Sequence, residues 1–381
     1  MDTKIKSKAF QELLRAAETL SNPAIQDWKK NGGKVMGYFC SSMPAEVIMA
    51  AGLLPFRMRA TGSESTELSD AYVSRLNCGF MRHCLNAALT GDLDFLDGLI
   101  VPNSCDNIRR LYDHFLRLKQ TAFIQMISLP RKAEEPQVQW FRDELSNLMK
   151  NMESHFQVKI TDDRLFDAIK LRNETRRLQR KLYDLRKSDA PPVTGAETLA
   201  ITVAATAMPA EHYNQLLKEL LEDLSKSEGN SGHRVRLMII GSELDNPEYV
   251  KTIEDQGAIV VTDSICYGSR MFWEDVDEEK KDPLTAISRY YISKRPTCPR
   301  VFGRYEKRSD FVSQMIKDFK VDGVILERLT FCDLWGFEQY SIKNDFEEWK
   351  VPLMLLDRDY TLSGVGQLKT RAQAFIETIG R

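Results

Sequence analysis

Eight short apolar runs, separated by stretches of helical periodicity, constrain this chain more than any other feature. In the first half they are Lys34–Phe39, Leu54–Met58, Gly98–Val101 and Ala122–Ile127. In the second half they are Arg236–Ile240, Ala258–Thr262, Gly323–Leu326 and Pro352–Leu356. Runs of this kind alternating with helices predict βαβ units and parallel sheets.

The two halves also repeat each other. Gly37-Tyr38-Phe39 ends one run, Pro44-Ala45-Glu46 opens a helix, and Gly52 stops it. Gly241, Asn246-Pro247-Glu248 and Gly257 do the same later. Proline in the first helical turn and glycine just past the end are ordinary helix punctuation. Asp97-Gly98-Leu99-Ile100-Val101 leads to Cys105-Asp106, and Asp322-Gly323-Val324-Ile325-Leu326 leads to Cys332-Asp333. The expected fold class is therefore α/β: two similar Rossmann-like domains with parallel sheets of about four strands each, joined by a helical segment. The expected divisions are an N-terminal helical segment at 1–33, a first α/β domain at 34–130, a helical connector at 131–192 and a second α/β domain at 193–381. Within the connector, Asp162–Lys187 carries apolar residues at Leu165, Ile169, Leu178, Leu182 and Leu185. Its basic residues Arg172, Arg176, Arg177, Arg180 and Lys181 read as a solvated face. Pro191-Pro192 ends that helix.

Hydrophobic residues make up 43% and charged residues 28% of the 381 residues, an ordinary globular balance. The net charge of −2 gives no electrostatic reason to expect nucleic acid or an anionic membrane as partner. No apolar signal core follows the start and no run is long enough to span a bilayer, so a cytoplasmic location is expected. Seven cysteines in that compartment are reduced thiols, and metal binding or catalysis is weighed before disulfides.

Four of the cysteines fall at strand ends. Cys40, Cys105, Cys266 and Cys332 follow the runs ending near Phe39, Val101, Thr262 and Leu326. Ligands of open parallel sheets bind outside the carboxyl ends of the strands. If those ends face each other, thiols from both halves meet in one cleft. Cys78 and Cys298 sit in longer loops at corresponding places in the two halves. Several thiolates converging on one point suit an iron–sulfur cluster, because soft sulfur ligands match iron. No CxxC is present, so ferredoxin and zinc-ribbon spacings are absent. A free cysteine is equally a small buried apolar residue, and Cys84, on the helical pattern Phe80–Leu89 with no counterpart in the second half, reads as packing.

Other motifs are sparse. There is no HExxH, GxSxG or Walker A loop. The histidines His83, His114, His155, His212 and His233 show no metal spacing and read as surface or capping residues. Gly241-Ser242-Glu243-Leu244-Asp245-Asn246-Pro247 reads as a strand-to-helix turn that either caps a helix or holds an anion. Glu46, on the first turn of the helix after Cys40, is the candidate catalytic residue, a proton donor or relay; the plainer alternative is a charge complementing the helix dipole.

Several stretches together resemble the 2-hydroxyacyl-CoA dehydratase and benzoyl-CoA reductase superfamily. They are Gly37-Tyr38-Phe39-Cys40-Ser41-Ser42-Met43-Pro44-Ala45-Glu46, Val101-Pro102-Asn103-Ser104-Cys105-Asp106, Cys266-Tyr267-Gly268, Phe331-Cys332-Asp333 and Gly366-Gln367-Leu368-Lys369-Thr370-Arg371. The resemblance implies two Rossmann-like domains with an iron–sulfur cluster in the cleft. It maps the three usual cluster ligands onto Cys78, Cys105 and Cys332. Cys40, Cys266 and Cys298 stand where double-cubane members carry further ligands, so the implied cofactor is a 4Fe-4S cluster or a double cubane. Asn107-Ile108-Arg109-Arg110-Leu111-Tyr112-Asp113 and Tyr267-Gly268-Ser269-Arg270 look most like the smaller cluster-binding subunit of ATP-dependent benzoyl-CoA reductase. The implied partners are a larger paralogous subunit, ATP-hydrolysing iron–sulfur subunits, ferredoxin and an acyl-CoA substrate. A 2-hydroxyacyl-CoA dehydratase subunit, a double-cubane reductase of small molecules and a non-catalytic cluster scaffold are the alternatives.

Overall fold

The computed structural model describes residues 5–119, 121–279 and 281–380. All eight apolar runs form strands. They are β1 (Val35–Tyr38), β2 (Leu54–Arg57), β3 (Gly98–Pro102), β4 (Ile124–Ile127), β5 (Val235–Gly241), β6 (Ala258–Ser264), β7 (Gly323–Leu329) and β8 (Leu353–Arg358). They assemble into two four-stranded sheets of order β2-β1-β3-β4 and β6-β5-β7-β8. Every pairing is parallel. The strands are apolar on both faces because helices cover both faces; all seven residues of β5 are buried.

The duplication reaches single hydrogen bonds. Asp97, just before β3, accepts the Val35 amide at 2.8 Å through its carboxylate, and its own amide donates to the Val35 carbonyl at 2.8 Å. Asp322, just before β7, treats Arg236 in the same way, at 2.7 and 2.8 Å. Each aspartate fixes the register between the two central strands of its sheet.

Between the sheets lie two long helices, Glu135–Phe156 and Asp162–Leu185. The first helix and the start of the second pack on the first sheet, with Phe141, Leu145, Leu165 and Ile169 in one cluster with Met36, Tyr38 and Ile100, while Leu178, Leu182 and Tyr183 of the second join the cores of the second sheet. Packing crosses between the halves in both directions. The helix Lys8–Glu18 buries Phe10, Leu13 and Leu14 among residues 193–260 of the second half. In return, the second-half segment carrying Leu284, Ile287, Tyr290 and Tyr291 packs into the core of the first sheet. None of the described helices is long and apolar enough to cross a membrane.

In each sheet the chain runs outward on both sides of its first strand, so the switch points lie between β1 and β3 and between β5 and β7. Parallel α/β sheets bind ligands beyond the carboxyl ends at such points. Here those two edges face each other. The Arg57 guanidinium, at the end of β2, donates to a Glu243 carboxylate oxygen at 2.5 Å and to the Cys266 carbonyl at 2.6 Å. The Tyr267 hydroxyl donates to the Met58 carbonyl at 3.1 Å, and the Ala60 amide donates to the Tyr360 hydroxyl at 3.0 Å.

Candidate functional site

The loops that meet across this edge carry six of the seven cysteines. Cys105 lies three residues past β3 and Cys332 three residues past β7, the matching positions of the repeat. Each immediately precedes a helix, Asp106–Leu118 and Asp333–Trp349. Cys78 does the same for the helix Gly79–Thr90. Three helix N-termini, each with a fractional positive charge, are thus presented behind three thiols. The Asn107 side chain accepts the Cys78 amide at 3.1 Å and ties two of these helix starts together. The immediate neighbours of the three cysteines (Leu76, Asn77, Asp106, Asn107, Phe331 and Asp333) line one open pocket of about 340 Å³.

The thiols feel one another. Burial pushes Cys105 up to about 12; Cys78, Cys40 and Cys298 push in the same direction, against the Ile108 amide. Burial also raises Cys332 well above the usual thiol range, joined by Cys78, Cys105 and Cys298. Cys266 is raised by burial and by Cys298, while Arg270 and Arg57 oppose this. A cation among the sulfurs would reverse that balance, since thiols on a metal lose their protons outright. The donor set therefore suits a soft thiophilic metal group. Among the described residues, no three His, Cys, Asp or Glu side chains gather closely enough to hold a single ion.

A family model described as 2-hydroxyglutaryl-CoA dehydratase, D-component, matches residues 40–379. The chain belongs to this family. It is 24% identical over 375 residues to the (R)-phenyllactyl-CoA dehydratase beta subunit of Clostridium sporogenes, covering 98% of this chain and 99% of that one. It is 26% identical over 370 residues to one of the benzoyl-CoA reductase subunits of Thauera aromatica, covering 95% of both chains. With the beta subunit of (R)-2-hydroxyglutaryl-CoA dehydratase from Acidaminococcus fermentans it shares 24% identity over 376 residues, 97% of this chain and 98% of that one.

Within this family member, the sulfurs of the other three cysteines accept one guanidinium and two backbone amides. Arg270 donates to the Cys266 sulfur at 3.1 Å. The Arg300 amide donates to the Cys298 sulfur at 3.5 Å, and the Ser42 amide to the Cys40 sulfur at 3.4 Å. Cys298 is delivered by the segment that crosses back to the first half: Arg300 donates to the Leu129 carbonyl at 2.9 Å, and Arg295 donates to the Ser41 hydroxyl at 2.9 Å. Sequence reasoning gave Arg270 only as part of a family-like stretch and missed Arg295 and Arg300. The available signal was their spacing, Cys266 to Arg270 and Cys298 to Arg300.

Glu46 is enclosed beside this site. Its side chain is 0% exposed and pairs with Arg176 at 2.5 Å, and it accepts the Tyr291 hydroxyl at 2.9 Å. Burial alone would raise its carboxyl, but Arg176 and Arg172 outweigh it and hold it below the ordinary 4.5. A carboxylate kept ionised and enclosed is poorly placed to donate a proton. The same contact corrects the reading of the connector helix: Arg172 and Arg176 are buried, because the helix Ala45–Ala50 packs Glu46 against them. Arg177, by contrast, is half exposed and pairs with Asp275 and Glu278, both at 3.1 Å.

Three smaller expectations are also resolved. Cys84 is fully buried in the apolar cluster beneath the site. Asn246 caps its helix by accepting the Glu248 amide at 3.0 Å, and the acidic residues of that turn are engaged by Arg57 and Tyr360. His83 is buried rather than a surface residue, with Nδ1 2.9 Å from the Ser63 hydroxyl and its ring against Tyr360.

Proposed function

We propose that the chain is the smaller, cluster-binding subunit of an acyl-CoA reductase of the benzoyl-CoA reductase type. The observation that carries this reading is the convergence of six thiols from both halves on one edge. Cys78, Cys105 and Cys332 would hold an iron–sulfur cluster, and Cys40, Cys266 and Cys298 extend the donor set toward a double cubane. Such a group, when bound, supplies single electrons at low potential. The chain's own residues do the rest. The apolar cluster under the site, including Phe39, Phe80 and Leu329, keeps water from its inner side. The helix starts and arginines offset the negative charge of the thiolates.

A partner chain fits the outer side. Leu76 is 72% exposed and Phe337 81% exposed, and Tyr340 and Phe302 are similarly bare. All lie close in sequence to Cys78, Cys332 or Cys298. Large apolar side chains exposed around a buried donor set mark a surface meant to be covered. The occupant proposed is a larger paralogous subunit, in keeping with relatives that are named as subunits. ATP-hydrolysing iron–sulfur subunits, ferredoxin and an acyl-CoA substrate complete the reading.

Full-length similarity to two dehydratase beta subunits favours a second reading, a subunit of a 2-hydroxyacyl-CoA dehydratase. The deciding experiment is anaerobic co-expression with the larger paralogue, an iron and sulfide count, and paired assays. Ring reduction of benzoyl-CoA with ATP and a strong reductant is expected. Dehydration of a 2-hydroxyacyl-CoA with benzoyl-CoA untouched would replace it with the second reading. Colourless protein carrying zinc would remove both.

A further inference from the structure

The six candidate thiols divide by what faces them. Cys78, Cys105 and Cys332 face helix starts, Cys40 and Cys298 accept backbone amides, and Cys266 accepts a guanidinium, that of Arg270. Arg270 is 1% exposed, lies within the short 3₁₀ turn Ser269–Met271, and stacks 5.0 Å from Trp335, one turn into the helix that Cys332 opens. One of its terminal nitrogens donates both to the Gly241 carbonyl at 2.8 Å and to the Cys266 sulfur at 3.1 Å. Its Nε and other terminal nitrogen have no hydrogen-bond partner.

Three other buried arginines near the cleft are matched to carboxylates, Arg57 to Glu243, Arg176 to Glu46 and Arg358 to Glu327, whereas Arg295 and Arg300 bond to the Ser41 hydroxyl and the Leu129 carbonyl. Arg270 makes no ion pair among the described residues. Its charged neighbour is the Glu327 carboxylate, which Arg358 holds more closely, and arginine does not shed its proton. The group it touches is the Cys266 sulfur, which therefore lies within hydrogen-bond distance of a fixed positive charge. Gly241 makes this approach possible. Its φ is +148°, and a Cβ there would lie 1.9 Å from the Glu327 carbonyl oxygen, so the strand end accepts only glycine.

We propose that Arg270 is a positioning residue of the cysteine site: it anchors the Cys266 thiolate between Gly241 and Trp335 and supplies the fixed positive charge that makes this side of the site the easier one to reduce. The inference rests on the cluster reading above and goes beyond it by assigning unequal electrostatics to Cys266 and to the helix-start thiols. The helix starts carry only fractional charge, whereas Cys266 has a whole charge at hydrogen-bond distance.

The test uses anaerobically purified, iron-loaded chain and a spectroelectrochemical titration, with iron content and thermal midpoint measured alongside. Arg270→Met is expected to keep its iron and to shift the ratio of reduced to oxidised site about tenfold toward oxidised at fixed ambient potential, which is ~59 mV for one electron. Arg270→Lys, which keeps the charge, is expected to stay within about threefold of wild type. Should Arg270→Met fail to fold, Arg270→Gln is read in its place, with the same shift expected. An iron-replete Met or Gln variant with an unmoved potential overturns the inference, and so does a Lys variant displaced as far as Met. Wild-type protein without iron overturns the cluster reading itself, and that result is distinguishable because no potential is then measured.

Discussion

The cysteines differ at the residue scale by what surrounds them, not by exposure alone. Cys105→Ser and Cys332→Ser are expected to strip most of the iron from anaerobically prepared protein, because a hydroxyl is a poor replacement for a thiolate on iron. Cys84→Ser is expected to leave it, since Cys84 lies within the apolar cluster; an iron assay that finds the reverse pattern would reassign the ligands. Glu46→Gln would leave Arg176 charged, buried and unpaired, and is expected to lower unfolding stability by about 3–5 kcal/mol in denaturant titrations. Retained turnover in any folded fraction would agree with a structural Glu46, whereas a fully stable but inactive variant would restore a proton-transfer role. His83 gives the site's flank a pH dependence. Burial first, and then Arg82, hold its imidazole down to about 4 from the ordinary 6.5. The unfolded chain therefore binds the extra proton between those values, so the stabilisation is whole above pH 6.5 and is lost as pH falls toward 4. Glu254 works in the opposite sense, since burial raises it to about 7. The comparison is accordingly the melting midpoint of wild type minus His83→Gln, which should shrink between pH 6.5 and 4; a constant difference would exclude the assignment.

At the scale of elements, two loops of the site hold non-glycine residues in the left-handed region, Cys40 at φ 66° and Phe331 at φ 67°. Each lies two residues past a central strand, where the chain turns sharply to present a thiol. Such a conformation costs on the order of 1 kcal/mol for a residue with a Cβ. At Phe331, glycine should therefore exceed alanine in stability by ~1 kcal/mol, the reverse of the usual order, as chemical denaturation of Phe331→Gly and Phe331→Ala would show. The strands were legible because a strand buried on both faces must be a continuous apolar run, and the Asp-Gly pairs at 97–98 and 322–323 announced the repeat. Cys105 and Cys332 were legible for the same reason, as matching positions after matching strands. The crossing segment that delivers Cys298, Arg295 and Arg300 was not, since its helix Pro283–Arg289 shows a local apolar pattern that does not say which sheet it covers. The burial of Arg172 and Arg176 was hidden likewise: a basic helix face looks solvated until the opposing Glu46 is placed in space.

For the whole molecule, the large exposed apolar side chains that neighbour the cysteines in sequence, Leu76, Phe302 and Phe337, predict association. Phe337→Asp places a charge on the outer side of the helix that Cys332 opens. It is expected to weaken capture of the larger paralogue by at least tenfold in an anaerobic pull-down, with melting and iron content unchanged. Undiminished capture would move the interface elsewhere. A lone chain that purifies as a homodimer and reduces small molecules would instead make a second copy the partner.

The crossings between the halves also bear on the order of events during synthesis. Domains usually fold as they emerge, amino-terminal end first. Here the first helix finds its apolar partners only among residues 193–260, and the core of the first sheet waits for the segment around Tyr290. Cys40 is thus made early but is not enclosed until Cys298 and Cys332 arrive. The early thiols gain their neighbours only once the second half has folded against the first, so the site is completed by the closing of the fold and by no single segment.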